Sequence, residues 1–188
     1  AEKANMIWPW SGGGKPAMQS FRDKYGVSAA VISAVDVIFG LGKAVGMDLI
    51  RVPGATGFID TNYEGKADAA VAALETHDFV YVHVEAADET SHMGDLKLKL
   101  KAITDIDARL VGRLREQLKG REIAWAVLPD HPVPLHQRIH TRTPVPVAIS
   151  GPHIKPDACQ VYSETVAPTG SLGLMKGDEF MRRLFNLA

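Results

Sequence analysis

Asp78-Phe-Val-Tyr-Val-His-Val-Glu-Ala-Ala-Asp-Glu-Thr-Ser-His92 is the stretch that decides the fold. Its first half is rich in β-branched and aromatic residues, which predicts a strand over 78–85. His83 shares strand parity with Phe79, Tyr81 and Glu85, so it reads as an interior histidine. Directly after the strand come Asp88 and His92, four residues apart. A helical turn there puts both on one face. The pattern recurs downstream: the apolar run Ile123–Leu128 predicts another strand, and Pro129-Asp130-His131 follows it at once. A proline-stiffened loop then leads to His140.

Further from this centre, Ala29–Ala34 suits a buried strand and Asp48–Val52 reads as a second strand. Val35–Val45 reads as a helix between them, with Val35, Ile38, Leu41 and Val45 near helical spacing. Pro53–Gly57 is a tight turn, and Lys66–Leu74 is Ala-rich and helical. Leu96–Leu118 reads as one long helix, its apolar face made by Leu100, Ile103, Ile106, Leu110, Val111, Leu114 and Leu118. Pro144–Ser150 reads as an edge strand because of its prolines. Short helices are expected at 17–25, ended by Gly26, and at 178–187. Strands alternating with helices predict an α/β fold, a largely parallel sheet with helices on both faces.

The chain has 188 residues, 46% of them apolar and 23% charged, with a net charge of −1 and one cysteine. The apolar fraction excludes a disordered tail. Balanced charge argues against a nucleic-acid partner. The lack of a long apolar run argues against a membrane span. The lone Cys159 cannot form an internal disulfide or a Cys-rich zinc site, which fits a reducing, cytoplasmic setting. A chain that starts on Ala1 without a signal-peptide pattern reads as a piece of something longer.

Ligand sites in α/β sheets form outside the carboxyl ends of the strands. Asp88/His92 and Asp130/His131 both sit at such ends, and His140 can fold back toward them. Carboxylate oxygens and imidazole nitrogens suit a borderline divalent metal. Five groups exceed the four that one tetrahedral zinc needs, which points to two ions. Paired ions suit phosphoryl transfer. Other features read as structural. Ser11–Lys15 is a plain loop, Trp8 and Trp10 anchor the N-terminal segment, and His136 is exposed. His77 and His153 have no partner pattern. Lys97, Lys99 and Lys101 form a solvated face.

Asp-x-x-x-His, Asp-His and the later His together resemble the metal-binding half of the alkaline phosphatase superfamily. The segments HVEAADETSHMGDLKLKLKAI, VPGATGFIDTNYEGKADAA and LPDHPVPLHQRIHTRTPVPVAI are similar to the archaeal-type cofactor-independent phosphoglycerate mutases, whose bacterial members are often named proposed homoserine kinases. The resemblance implies an alkaline phosphatase-like core, here partial. It implies Asp88, His92 and His140 as ligands of one ion, and Asp130 and His131 as ligands of a second, with Mn, Zn or Mg as the metal. It implies interconversion of 3-phosphoglycerate and 2-phosphoglycerate, a small phosphorylated metabolite, through a phospho-Ser/Thr enzyme. The alternatives are homoserine kinase-like activity or a non-catalytic metal-binding fragment. Ser33 and Thr61 do not sit in the nucleophile's context. Residues 1–188 are therefore expected to be the C-terminal metal-binding portion, with the nucleophile-bearing part preceding it. Phe39 stands where many relatives carry a Lys. A sheet lacking strands of that other part is expected to self-associate.

Overall fold

The computed structural model describes residues 6–7, 12–14 and 16–187. The readings of Trp8, Trp10, Ser11 and Lys15 lie outside the described residues. Seven α-helices and five strands are ordered as α1 (Phe21–Tyr25), β1 (Ala29–Ile32), α2 (Asp36–Ala44), β2 (Asp48–Ile50), α3 (Tyr63–Ala73), β3 (Phe79–Val82), α4 (Ala86–Met93), α5 (Leu96–Asp105), α6 (Gly112–Gln117), β4 (Trp125–Val127), β5 (Ala148–Ser150) and α7 (Glu179–Leu184) among the described residues. A π-helical turn, Ile106–Val111, joins α5 to α6.

β1 lies at the centre of a parallel sheet of order β2-β1-β3, with Ala30 opposite Asp48 and Val80. Helices α2 and α3 are the crossovers. All four residues of β1 are buried, as a central strand covered on both sides requires. β4 departs from the expected arrangement. It does not hydrogen-bond into the parallel sheet but pairs antiparallel with β5. Of the predicted strand 144–150 only Ala148–Ser150 forms, since Pro144 and Pro146 cannot donate to a ladder. The ribbon packs through Ala124, Ala126 and Ile149 against an aromatic cluster. In that cluster Phe21 stacks on Phe79 at 5.3 Å and Phe185 meets Phe79 edge-on.

Two helix faces differ from the sequence reading. On α2 the buried residues are Phe39 and Gly42, whereas Leu41 is exposed. The cause is Gly42: a Cβ there would lie 2.6 Å from Val31 Cγ1, so α2 rests its backbone directly on β1. In the long helical segment, Leu100 and Ile103 point to solvent. The line that meets the core is Ala102, Ile106, Leu110, Leu114 and Leu118, spaced by four throughout. Four-residue spacing drifts around an ordinary α-helix, and the wider π turn absorbs that drift. The same segment is bound to α3 by paired side chains: Arg109 grips Glu64 at 2.6 and 2.9 Å, and Arg113 grips Asp68 at 2.7 and 2.9 Å. Such exposed pairs contribute little each, but bidentate geometry fixes alignment. The alanines at 67, 70 and 73 let α3 sit close to the sheet. Lys97 and Lys101 are exposed as expected, while Lys99 donates to the Val133 carbonyl at 3.0 Å.

The Gly42 contact makes a paired prediction. Gly42→Ala should destabilise the fold by about 1–3 kcal/mol through overpacking. Gly40→Ala, at an exposed helical position with nothing within 4 Å, should gain about 1 kcal/mol. Chemical denaturation of both variants checks the opposite signs.

Candidate metal centre

The site grows from the level ends of β1 and β3. Ile32 is opposite Val82, and the His83 amide donates to the Ile32 carbonyl at 2.8 Å. Three residues beyond β3 the chain enters α4, which places Asp88 and His92 on one face as their spacing predicted. Gly94, with φ of 70°, ends α4 in a left-handed cap. The loop after β4 then brings His131 and His140 onto the same spot.

The distances are short. His92 Nε2 lies 3.2 Å from Asp88 Oδ2 and 3.1 Å from His140 Nε2. His140 Nε2 and His131 Nδ1 lie 3.5 and 3.7 Å from Asp88 Oδ1. The His131 and His140 rings stack at 3.7 Å. Asp130 is the outermost of the five predicted ligands, with a side chain 62% exposed and Oδ2 3.3 Å from His131 Nε2. Asp88, His92, His131 and His140 therefore gather at one place, and Asp130 meets them at the rim through His131.

Three features fit a cation at this place. First, Asp88 Oδ1 and His131 Nδ1 are buried atoms without a hydrogen bond, two of three such side-chain atoms among the described residues. Buried polar atoms are rarely left so, and an ion is one explanation. Second, His92 Nδ1 faces the Arg138 carbonyl at 2.8 Å. A carbonyl only accepts, so Nδ1 carries a proton there, and Nε2 is the ring nitrogen turned toward the cluster, the orientation a ligand needs. Third, His92 Nε2 and His140 Nε2 lie 3.1 Å apart and both face the Asp88 carboxylate, so two ring nitrogens and a carboxylate converge. Asp88, His92 and His140 place one ligand atom each within 4.8 Å of one another.

Acidic neighbours deepen the attraction. Glu85, Asp88 and Glu89 also gather ligand atoms within 4.8 Å. Burial, reinforced by Asp88, Asp130 and Glu89, pushes the Glu85 carboxyl above its usual range. Beneath them lies a polar set that sequence reasoning largely missed. Ser33 Oγ is 3.2 Å from His83 Nδ1, and His83 Nε2 is 3.3 Å from Glu85 Oε2. Burial lowers the His83 pKa, keeping the ring neutral. Lys66 Nζ donates to the His83 carbonyl at 2.9 Å. A signal for Lys66 existed: it falls on the Tyr63, Ala67, Ala70 stripe, where a charge is out of place.

The remaining readings resolve simply. His83 is interior and His136 is exposed, both as read. Ser33 and Thr61 are each 1% exposed and serve the local backbone: Ser33 Oγ accepts from Val35 N, Thr61 Oγ1 from Thr56 N. Phe39 is buried, with the Arg51 guanidinium 4.5 Å over its ring. His77, which lacked a sequence partner, has both ring nitrogens on acceptors, Ala73 O at 3.0 Å and Asp48 Oδ2 at 2.9 Å.

A site of carboxylates and histidines gathered beyond the ends of β3 and β4 is that of a metal-binding class of proteins, and similarity agrees. Residues 4–186 match the Metalloenzyme superfamily, and the chain belongs to it. Among its relatives is the 2,3-bisphosphoglycerate-independent phosphoglycerate mutase of Methanosarcina acetivorans, 46% identical over 96% of this chain and 46% of that protein. A second enzyme of that name, from Methanothermobacter thermautotrophicus, is 44% identical over 98% of this chain and 46% of its own length. The chain spans about half the length of these curated relatives. In structure it resembles a Pyrococcus horikoshii protein with a TM-score of 0.84, at 33% identity over 89% of this chain and 52% of the other. It also resembles the cofactor-independent phosphoglycerate mutase of Thermoplasma acidophilum with a TM-score of 0.60, at 28% identity over 83% of this chain and 35% of that one. No described helix is long and apolar enough to cross a membrane.

The orphaned atoms make the site testable without any assay of catalysis. Loading the chain with Mn²⁺ or Zn²⁺ at a hundredfold excess over Kd should stabilise it by about 2.7 kcal/mol. Asp88→Asn should abolish that gain while leaving the metal-free protein folded, as read by thermal melts with and without metal.

Proposed function

We propose that this chain is the metal-binding portion of a phosphoglycerate mutase-like phosphotransferase, with Asp88, His92, Asp130, His131 and His140 as the metal ligands. The observation that supports it most is the convergence of Asp88, His92, His131 and His140, with Asp130 at the rim, on a place where Asp88 Oδ1 and His131 Nδ1 are buried without a hydrogen bond. The names and extent of the relatives point the same way. Two divalent ions suit five donors of mixed oxygen and nitrogen type, and imidazole with carboxylate suits Zn or Mn. Such ions, when bound, polarise phosphoryl oxygens and stabilise the charge of the transferring group.

The chain's own residues prepare that chemistry. Asp88 offers both carboxylate oxygens to the cluster, one toward His92 and one toward His131 and His140. The Arg138 carbonyl holds the His92 ring in one orientation. His140, with a side chain 54% exposed, stands at the open side, where a phosphorylated metabolite arrives. The nucleophile is assigned to the other half of a longer protein, a reading supported by the chain's matching 46% of the length of its curated relatives. The chain alone is then inactive, and its setting is the cytoplasm. Exposed Met93, Leu96, Leu100 and Ile103 along α4 and α5 give it an apolar stripe, which supports self-association.

Elemental analysis of the purified chain, with assays of the protein from its native reading frame, tests the proposal. The chain should retain transition metal and lose it on Asp130→Ala. It should not interconvert 3-phosphoglycerate and 2-phosphoglycerate, whereas the protein from the native reading frame should. A chain that holds no metal, with Asp130→Ala silent, overturns the metal reading. Homoserine-dependent ATP consumption without mutase activity establishes the kinase alternative instead. Light scattering on the same preparation reads the self-association, and a sharp monomer rejects it.

A further inference from the structure

Lys66 is the least expected side chain in the molecule. It is 1% exposed, on a helix that otherwise faces the core with Tyr63 and alanines. Taking an ammonium out of water costs several kcal/mol, and an apolar side chain would fill the space without that cost. Burial lowers its pKa to about 8 against the opposing pull of Glu85. Its hydrogen bond goes to the main chain, to the carbonyl of His83 at 2.9 Å.

The location of that carbonyl gives the bond its meaning. β3 ends at Val82, and α4 begins at Ala86. Residues 83–85 thus set where α4 starts, and α4 carries Asp88 and His92. The helix has no cap of its own: Glu85 precedes it and makes no side-chain capping bond. Its start is fixed from below instead. Lys66 holds the His83 carbonyl, Ser33 Oγ meets His83 Nδ1 at 3.2 Å, and Glu85 meets His83 Nε2 at 3.3 Å. Lys66 is sealed from solvent, so it cannot touch a substrate.

We infer that Lys66 is a positioning residue of the metal centre: by pinning the His83 carbonyl beneath the strand ends, it fixes the turn that aims Asp88 and His92. The inference rests on the reading of those two residues as metal ligands. Outer groups of this kind typically change metal affinity by roughly 10–100-fold when removed.

The test uses Co²⁺ as the probe on the full chain. Lys66→Met keeps the apolar stem and removes the ammonium, and Lys66→Leu removes it with a second apolar side chain of good helix propensity. Both variants should keep the wild-type far-UV circular dichroism, bind Co²⁺ roughly 10–100-fold more weakly and show a shifted visible Co²⁺ spectrum. His136→Ala, in the exposed loop, should change neither. A folded Lys66 variant with wild-type affinity and spectrum overturns the inference. So does failure of both Lys66 variants to fold, which assigns Lys66 to the fold alone. A wild-type chain that takes up no Co²⁺ overturns the metal reading itself, and this inference falls with it.

Discussion

The pairing of β1 with β3 is the constraint on which the rest depends. In a parallel pair, residues at the same register end side by side. Ile32 and Val82 are such a pair, so the next residues, Ser33 and His83, leave the sheet together. That one-residue coincidence brings a hydroxyl against an imidazole and turns β3 toward α4 at a defined point. Moving β3 by one residue would swap its faces. Val82 and Val84 would leave the core side, and His83 would lose Ser33. The site inherits its accuracy from a backbone ladder rather than from its own side chains.

Electrostatics explains why the ladder is needed. Glu85, Asp88, Glu89 and Asp130 crowd one end of the sheet, and like charges so close repel unless a cation or burial intervenes. A flexible loop would relax such a cluster into solvent. Here Asp88 sits on a helix held between a capped end at Gly94 and a start secured from below. The protein thus keeps acidic groups together that would otherwise separate, which is what a cation site requires before its cation arrives.

Much of this was legible in the sequence, for reasons that particular residues make clear. The strand before Asp88 announced itself through β-branched and aromatic residues, and the spacing of Asp88 and His92 held because α4 is an ordinary helix. Long-range geometry was less legible. Ile106, Leu110, Leu114 and Leu118 face the core as their spacing predicted, yet before the π turn the line continues to Ala102 and leaves Leu100 and Ile103 exposed. No simple pattern marks a π turn, since it answers packing against α3. The antiparallel partner of β4 also escaped, because pairing direction depends on where a loop returns. Lys66 was readable as a residue but not as a partner, since its bond goes to a backbone carbonyl.

The loop from Pro132 to Thr141 shows how strain serves the site. Arg138 has φ of 58°, a left-handed conformation that costs a non-glycine residue roughly 1–2 kcal/mol. The conformation persists because several contacts demand it. The Arg138 amide donates to the Pro134 carbonyl at 2.9 Å, and the Thr141 amide donates to the Pro132 carbonyl at 3.0 Å. Its own carbonyl turns to His92 Nδ1. Its guanidinium lies over Gly94, whose positive φ reserves that position for glycine. The same loop delivers His140 two residues later. One strained residue couples the orientation of His92, the end of α4 and the approach of His140. The loop is consequently a part of the proposed metal centre, holding two histidines in one relation.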